Sequence, residues 1–319
     1  MTITQAQSAP LVAVVGATGA QGGSVIKALS ESEKPYRIRG FTRDLTKPTV
    51  EALKKQGVEM VAVNLILENK EEVYKAFAGA DYTFLVTNYW EHMNKEREIS
   101  EGKLLIDASK AAGAKGIIWS GLVPVNKISG GKYTKVEAFD GKALVTEYGR
   151  ASGVPFVDVQ AGFYATNLLG SLPLLAKQPD GTYALSFAFS PKTVMPIIDM
   201  ENDYGLYARR VLEMPVFPDG TEVYTASEDI TAEEMARQLS QGTGKKVVFK
   251  QITAEQAAQN FVSLGYPPGA ATDMMEGFSF FNEFGYYGGK PSASNEGLAR
   301  PTRTFAEFVK GADWSKVLA

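Results

Sequence analysis

The stretch Leu11-Val-Ala-Val-Val-Gly16-Ala-Thr18-Gly19-Ala20-Gln21-Gly22-Gly23-Ser-Val constrains this chain more than any other. An apolar run ends on a glycine, and a helical pattern begins within a few residues. The spacing is Gly-x-x-Gly-x-x-Gly at positions 16, 19 and 22. Glycines let a backbone turn sharply and come close to a phosphate without a side-chain clash, while a helix start offers unpaired N–H groups and the positive end of the dipole. A bare triplet would mark only a tight strand-to-helix turn; in this strand, turn and helix context it predicts a loop, Gly16 to Gln21, that holds the pyrophosphate of a dinucleotide.

The rest of the first half fits that reading. Candidate strands at 11–15, 36–41, 59–63, 82–86, 116–120 and 156–160 alternate with helical patterns at 21–30, 49–56, 71–77, 92–112 and 134–152. Parallel strands need such crossovers, so the expected fold is α/β: a Rossmann-type, doubly wound parallel sheet in the order 3-2-1-4-5-6, extended by 222–226. After Gln160 the rhythm changes. Pro-Asp-Gly at 179–181 precedes an alternating run that suits an antiparallel hairpin, and Thr231 with Glu234 and Thr253 with Gln256 have capping-box spacing. Residues 285–301 read as an exposed loop before a short helix at 305–310. The expected division is a Rossmann domain of 1–161, joined by 192–229, and a smaller α+β substrate lobe of 162–191 and 230–319.

Composition narrows the chemistry. The 319 residues carry 33 Lys and Arg against 36 Asp and Glu, a net charge of −3 with no dense basic run, which disfavours nucleic acid as a partner. Absence of cysteine removes disulfides, thiolate nucleophiles and zinc–thiolate sites, and His92 as the single histidine removes a His-rich metal site. MTITQAQSAP has neither a basic nor an apolar leader character, and no run approaches 18 uncharged apolar residues, so the expectation is a soluble intracellular protein, cytoplasmic or also nuclear, with no membrane span.

The end of the second strand distinguishes the two nicotinamide dinucleotides. An acidic residue there would bind a free ribose 2′-hydroxyl; this chain has Phe41-Thr42-Arg43-Asp44, with Lys47 following. A guanidinium fork matches a 2′-phosphate, so the expected cofactor is NADP(H). Asp44 is near enough in sequence to engage Arg43 instead.

Three separated motifs, the glycine loop through Val25, Thr87-Asn88-Tyr89-Trp90 and Phe139-Asp140-Gly141-Lys142, together resemble the NmrA-like family of atypical short-chain dehydrogenase/reductases, and in particular its HSCARG-type members. The likeness runs along most of the chain. It implies a Rossmann-type fold and NADP(H) binding, with Gly16, Thr18, Gly19, Ala20 and Gln21 at the diphosphate, Arg43 and Lys47 at the adenosine phosphate, Thr87, Asn88 and Tyr89 beside the nicotinamide ribose, and Tyr164 and Asn167 on the nicotinamide side. The family contains both reductases and redox-sensing regulators, so the resemblance implies a cofactor more firmly than a reaction.

Short-chain dehydrogenases use Tyr-x-x-x-Lys. Lys142 matches the lysine, but Ala138 stands one helical turn earlier where the tyrosine would be. Lys142 or Tyr164 is then the expected proton donor, with Lys142 also contacting the ribose or nicotinamide. Gly141 inside a helical pattern needs a reason, such as close approach to the cofactor. Ser120 and His92 are weaker candidates, and Tyr133 with Lys135 has the wrong spacing for one helix face. Asn94 to Glu98 reads as a solvated helix face, and Phe278, Phe280, Phe281, Phe284, Tyr286 and Tyr287 as lobe core or apolar substrate cover. The leading expectation is an NADPH-dependent reductase of a small apolar carbonyl or conjugated substrate; the alternative is an NADPH/NADP+ sensor that regulates a protein partner.

Overall fold

The computed structural model describes residues 3–319. Its first half runs β1 (Leu11–Val14), α1 (Ala20–Ser30), β2 (Arg37–Thr42), α2 (Pro48–Lys55), β3 (Glu59–Ala62), α3 (Lys70–Phe77), β4 (Tyr82–Leu85), α4 (Tyr89–His92), α5 (Lys95–Ala111), β5 (Gly116–Trp119), α6 (Val125–Ile128), α7 (Glu137–Arg150) and β6 (Phe156–Gln160). The second half runs β7 (Phe163–Tyr164), β8 (Leu175–Lys177), β9 (Tyr183–Phe187), β10 (Val194–Ile198), α8 (Met200–Glu213), β11 (Glu222–Tyr224), β12 (Glu228–Thr231), α9 (Ala232–Thr243), β13 (Val247–Gln251), α10 (Ala254–Ser263), α11 (Pro268–Phe284) and α12 (Phe305–Gly311).

Seven strands form one parallel sheet in the order β11-β6-β5-β4-β1-β2-β3. Its central strands are buried along their whole length, as the continuous apolar runs require when helices cover both faces. On one face α1 and α8 enclose Val25, Leu29, Tyr204 and Tyr207; on the other, α3, α5 and α7 enclose Phe77, Leu105, Trp119 and Val145. Gly205 of α8 donates its N–H to Ser24 Oγ of α1 at 2.9 Å, so a segment late in the chain returns to the sheet beside its first helix. The order agrees with the sequence pattern, including the added strand at β11.

A third core joins β7, β10 and β12 to β8, β9 and β13 and helices α9–α12, around Phe187, Phe189, Met235, Phe261 and Phe278. The turn before β9 does make the expected antiparallel hairpin, and β13 then adds parallel to β9. The Thr253–Gln256 capping box is complete, whereas Glu234 turns from its cap to Arg237 and Gln238. Thr304 with Glu307 forms a further box that sequence reading passed over. No described helix is long and apolar enough to cross a membrane.

Two expectations need correction. The pattern at 92–112 is not one helix: Met93 adopts φ 49°, ending α4, and Asn94 caps α5 by accepting from Arg97 N at 2.9 Å. His92 thus ends a short helix instead of opening a long one. Residues 285–301 are not wholly an exposed loop either, because Tyr286 and Tyr287 are buried and Tyr287 Oη donates to Thr225 O at 2.7 Å. Glycine and proline density marked the turn correctly but gave no account of where the tyrosines pack.

Asp158, in β6, is a fully buried carboxyl that shapes the sheet's carboxyl edge. It accepts from Gly121 N, Thr146 Oγ1 and Gln160 Nε2, each at 3.0 Å. Burial pushes its pKa up to about 7, with the Glu222 charge adding to this and the hydroxyl, amide and Arg150 opposing it. Gln160 Oε1 has no hydrogen-bond partner, and turning that amide over would let it accept from a protonated Asp158. Because the folded-state pKa lies above the ordinary value, the native state binds the proton more tightly, and stability falls as pH rises from about 4 through 7. Asp158→Asn is expected to lose this dependence: urea unfolding at pH 5.5 and 8 should show the wild type losing on the order of 1–3 kcal/mol more than the variant between the two. Equal losses would place the carboxyl's titration elsewhere.

Candidate active site

The hand-over from β1 to α1 is closed by backbone. Gly16 adopts φ +68°, Gly19 N donates to Gly16 O at 2.8 Å, and a Cβ on Gly22 would lie 2.3 Å from Gly16 O and 2.6 Å from Val15 O. Only glycine fits there, and the turn is tight because of it. Gly19 occupies the N-cap of α1 and supplies no side-chain acceptor, so the first N–H groups of the helix remain available to an anion. Gln21 reaches across from that first turn, its Nε2 donating to Ser120 Oγ at 2.8 Å, and ties the loop to the end of β5.

A cleft of about 660 Å³ opens at this edge of the sheet. Gly16, Thr18, Gly19, Ala20 and Gln21 line it, together with Arg43 and Lys47, Thr87, Asn88 and Tyr89, and Lys142, Tyr164 and Asn167. These thirteen positions, expected from the sequence to hold the cofactor or donate a proton, therefore border one continuous space. A nicotinamide dinucleotide fits these residues: glycine backbone leaves room and donors for a pyrophosphate, and Arg43 and Lys47 put positive charge on the same cleft. Among the described residues no group of three or more His, Cys, Asp or Glu could hold a metal ion.

Asp44 does not take the Arg43 guanidinium. Its Oδ1 accepts from Thr46 N at 2.8 Å and Thr46 Oγ1 at 2.6 Å, closing a local turn that holds its pKa below the usual carboxylate range. Arg43 pairs instead with Glu91, on α4.

Lys142 sits in a buried polar knot. Its Nζ donates to Thr87 O and Thr87 Oγ1, each at 3.1 Å, and to Glu98, whose Oε1 also accepts from Thr87 Oγ1 at 2.8 Å. Glu98 is 3% exposed, which corrects the reading of 94–98 as a wholly solvated face. A charge run along one helix does not show that a cation on another helix will meet its inward member. The reason for Gly141 is also different from the one expected: a Cβ there would lie 2.9 Å from Glu98 Oε2, so the missing side chain makes room for this carboxylate.

Beyond Lys142 the cleft becomes apolar. Phe139, Phe281 and Tyr286 pack together, with ring centroids 4.6–5.9 Å apart, and all three line it along with Met274 and Phe278. The aromatic set thus divides: Phe280 and Tyr287 belong to the core alone, whereas Phe278, Phe281 and Tyr286 belong to the core and the cleft. Among these rings stands Asp273 of α11, whose Oδ2 accepts from Ala138 N at 3.0 Å. Burial pushes its pKa up to about 7, Glu137 and Asp140 adding to the shift and the amides of Ala138 and Glu137 opposing it. Tyr164 and Tyr89 are both pushed upward by burial, Tyr89 also by Asp273 and Glu137. Glu91 and Asp273 were missed from sequence, where each is an acid in an ordinary helical pattern, and Glu98 was noticed only as part of a charged run.

The Lys142–Glu98 pair makes a direct prediction. Glu98→Gln leaves a largely buried ammonium without its counter-charge and is expected to destabilise the fold by about 2–4 kcal/mol in urea unfolding. A change within 0.5 kcal/mol would show that water already screens the pair.

Comparison with known proteins agrees with this architecture. The model of the NmrA-like family matches residues 8–309. The NmrA-like family domain-containing oxidoreductase malD of Malbranchea aurantiaca is 30% identical over 258 residues, 76% of this chain and 75% of its own. The NAD(P)H azoreductase of Xenophilus azovorans is 28% identical over 310 residues, 94% of this chain and 97% of its own. The crystal structure of NmrA, a negative transcriptional regulator, in complex with NADP superposes with a TM-score of 0.79 at 24% identity, covering 97% of this chain and all of that one. A family match spanning nearly the whole length, on a fold with the same parallel sheet, places this chain in the NmrA-like family.

Proposed function

We propose that this chain is an NADPH-dependent reductase of a conjugated or carbonyl compound with an apolar, largely aromatic body. One observation carries the reading: a single cleft runs from a cationic end, past an uncapped helix start, to an ammonium and an aromatic wall. Its glycines and cations suit a phosphorylated dinucleotide, and its aromatic rings an apolar acceptor. The likeness to the malD oxidoreductase and to an azoreductase supports the same class of chemistry. When bound, the nicotinamide would supply a hydride.

The residues of this chain then have separable tasks. The Ala20 and Gln21 amides receive the pyrophosphate, Arg43 and Lys47 the 2′-phosphate, and Thr87, Asn88 and Tyr89 the ribose side. Lys142, whose three N–H bonds go to Thr87 and Glu98, would exchange one of those to Thr87 for the ribose hydroxyl. Tyr164 and Asn167 border the nicotinamide side. A proton must reach the reduced substrate, and Ala138 cannot provide it. Tyr164 could, but burial makes its hydroxyl hold the proton more tightly. Asp273 is the better donor: its carboxyl lies beside Ala138, in the cleft, and burial raises its pKa to about 7. The lobe formed by 162–191 and 230–319 supplies it, together with Tyr164, Asn167 and most of the aromatic cover, while 1–161 supplies Phe139 and the rest of the cofactor side.

Ala138 at the tyrosine position also supports a second reading, a sensor that binds NADPH and NADP+ with different affinities and alters its contact with a protein partner. Such a device needs that differential affinity, since a ligand without it shifts no equilibrium.

Two measurements follow. NADPH oxidation, followed by absorbance against a panel of quinones, enones and aldehydes, should be detectable, and Lys142→Ala should lower it at least tenfold; silence across the panel with NADPH binding retained favours the sensor. For any substrate turned over, kcat should decline as pH rises through about 7, because the donor must be protonated. Asp273→Asn should flatten that limb and lower kcat by roughly 10²-fold, whereas an unchanged profile would remove Asp273 from the proton path.

A further inference from the structure

The Arg43–Glu91 pair joins the cationic part of the cleft to a short helix from which the proposed function uses only Tyr89, at its start. Arg43 follows β2 and Glu91 lies on α4, so the contact links two crossovers far apart in sequence. Both residues line the cleft. The competing charges nearby are already engaged: Asp44 with Thr46, and Arg97 with Glu101 at 2.8 Å. His92 Nε2 lies 4.0 Å from the Glu91 carboxylate. Glu91 is thus the acid that faces the guanidinium.

The helix that carries it ends abruptly. It is one turn long, and Met93 closes it at φ 49°, the only positive φ of a non-glycine residue among the described residues. A residue with a Cβ occupies that region at a cost, which an extended backbone would relieve. Tyr89, buried at the helix start, anchors one end, while Trp90 projects beside it 40% exposed.

We propose that Glu91 is a specificity-determining residue at the adenosine end: its carboxylate holds the guanidinium that a 2′-phosphate requires, so a 2′-phosphorylated nucleotide must displace α4, whereas one with a free 2′-hydroxyl leaves α4 latched. The inference rests on the nicotinamide-dinucleotide reading and adds a consequence to it. Exposure sets the scale. Arg43 and Glu91 side chains are 60% and 33% exposed, so the pair is weak enough to be exchanged and strong enough to be felt in affinity. A doubly charged phosphate makes more charge-assisted bonds to Arg43 and Lys47 than one carboxylate does, so it wins the exchange.

The test uses the full chain and two probes that share everything but the 2′-phosphate, 2′,5′-ADP and 5′-ADP, at low ionic strength where the pair is least screened. Affinities come from calorimetry. Release of α4 comes from tryptophan emission, since Trp119 and Trp314 are buried and Trp90→Phe identifies the reporting ring. In the wild type 2′,5′-ADP should change Trp90 emission and 5′-ADP should not. Glu91→Gln should bind 2′,5′-ADP about two- to fivefold tighter with 5′-ADP unchanged, and its emission without nucleotide should already be shifted; Arg43→Ala should remove the preference between the probes. If Glu91→Gln binds 2′,5′-ADP no tighter, or both probes shift together, the role of Glu91 is overturned while NADPH binding still stands. If neither probe nor NADPH binds wild type or variant, the dinucleotide reading falls, and this inference with it.

Discussion

The rest of the site depends on a backbone contact: the first turn of α1 passes so close to the carbonyls of Val15 and Gly16 that position 22 has no room for a Cβ. That approach lets the helix begin directly over the edge of β1, with Gly19 as a cap that leaves its first amides open. A side-chain cap would satisfy the same donors and remove the anion site. The fold then organises around this edge. β4 and β5 deliver Thr87 and Ser120 to it, α7 delivers Lys142, and α11 delivers Asp273 from the other side of the cleft.

Charge is distributed in a consistent way along the cleft. At the end of β2, Arg43 stands more than half in water and its partner Glu91 is one-third exposed. In the middle, Lys142 is enclosed, and an enclosed ammonium requires the compensating carboxylate that Glu98 provides. In the apolar part, Asp273 and, beneath the sheet edge, Asp158 have no adjacent cation that balances them, and burial raises both pKa values. Carboxyls in three settings thus behave differently because their surroundings differ in water and counter-charge, and the same contrast separates a structural pair from a group able to exchange a proton near neutral pH.

Much of this was legible in the sequence where the determinant is local. The glycine loop, the strand order of the sheet and the hairpin after Pro179 follow from short-range pattern, and the motifs at 87–90 and 139–142 place residues at strand ends and on α7. The missing parts are pairings between distant segments. Nothing near Glu98 announces that Lys142 will meet it, and Gly141 reads as a cofactor contact until the Glu98 carboxylate is seen in the space it leaves. Arg43 looks bound to its neighbour Asp44 by proximity, yet an Asp–Thr turn takes that acid away and hands the guanidinium to Glu91. Met93 shows the same limit for secondary structure: a helical pattern continues through a residue whose backbone turns left-handed.

The most direct check on the account is a crystal structure of the chain with NADPH. The account predicts the pyrophosphate against the Ala20 and Gln21 amides, the 2′-phosphate on Arg43, and the nicotinamide between Lys142 and the ring of Tyr164. A dinucleotide bound anywhere other than the β1–α1 edge, or crystals that never take one up at saturating NADPH, would contradict it.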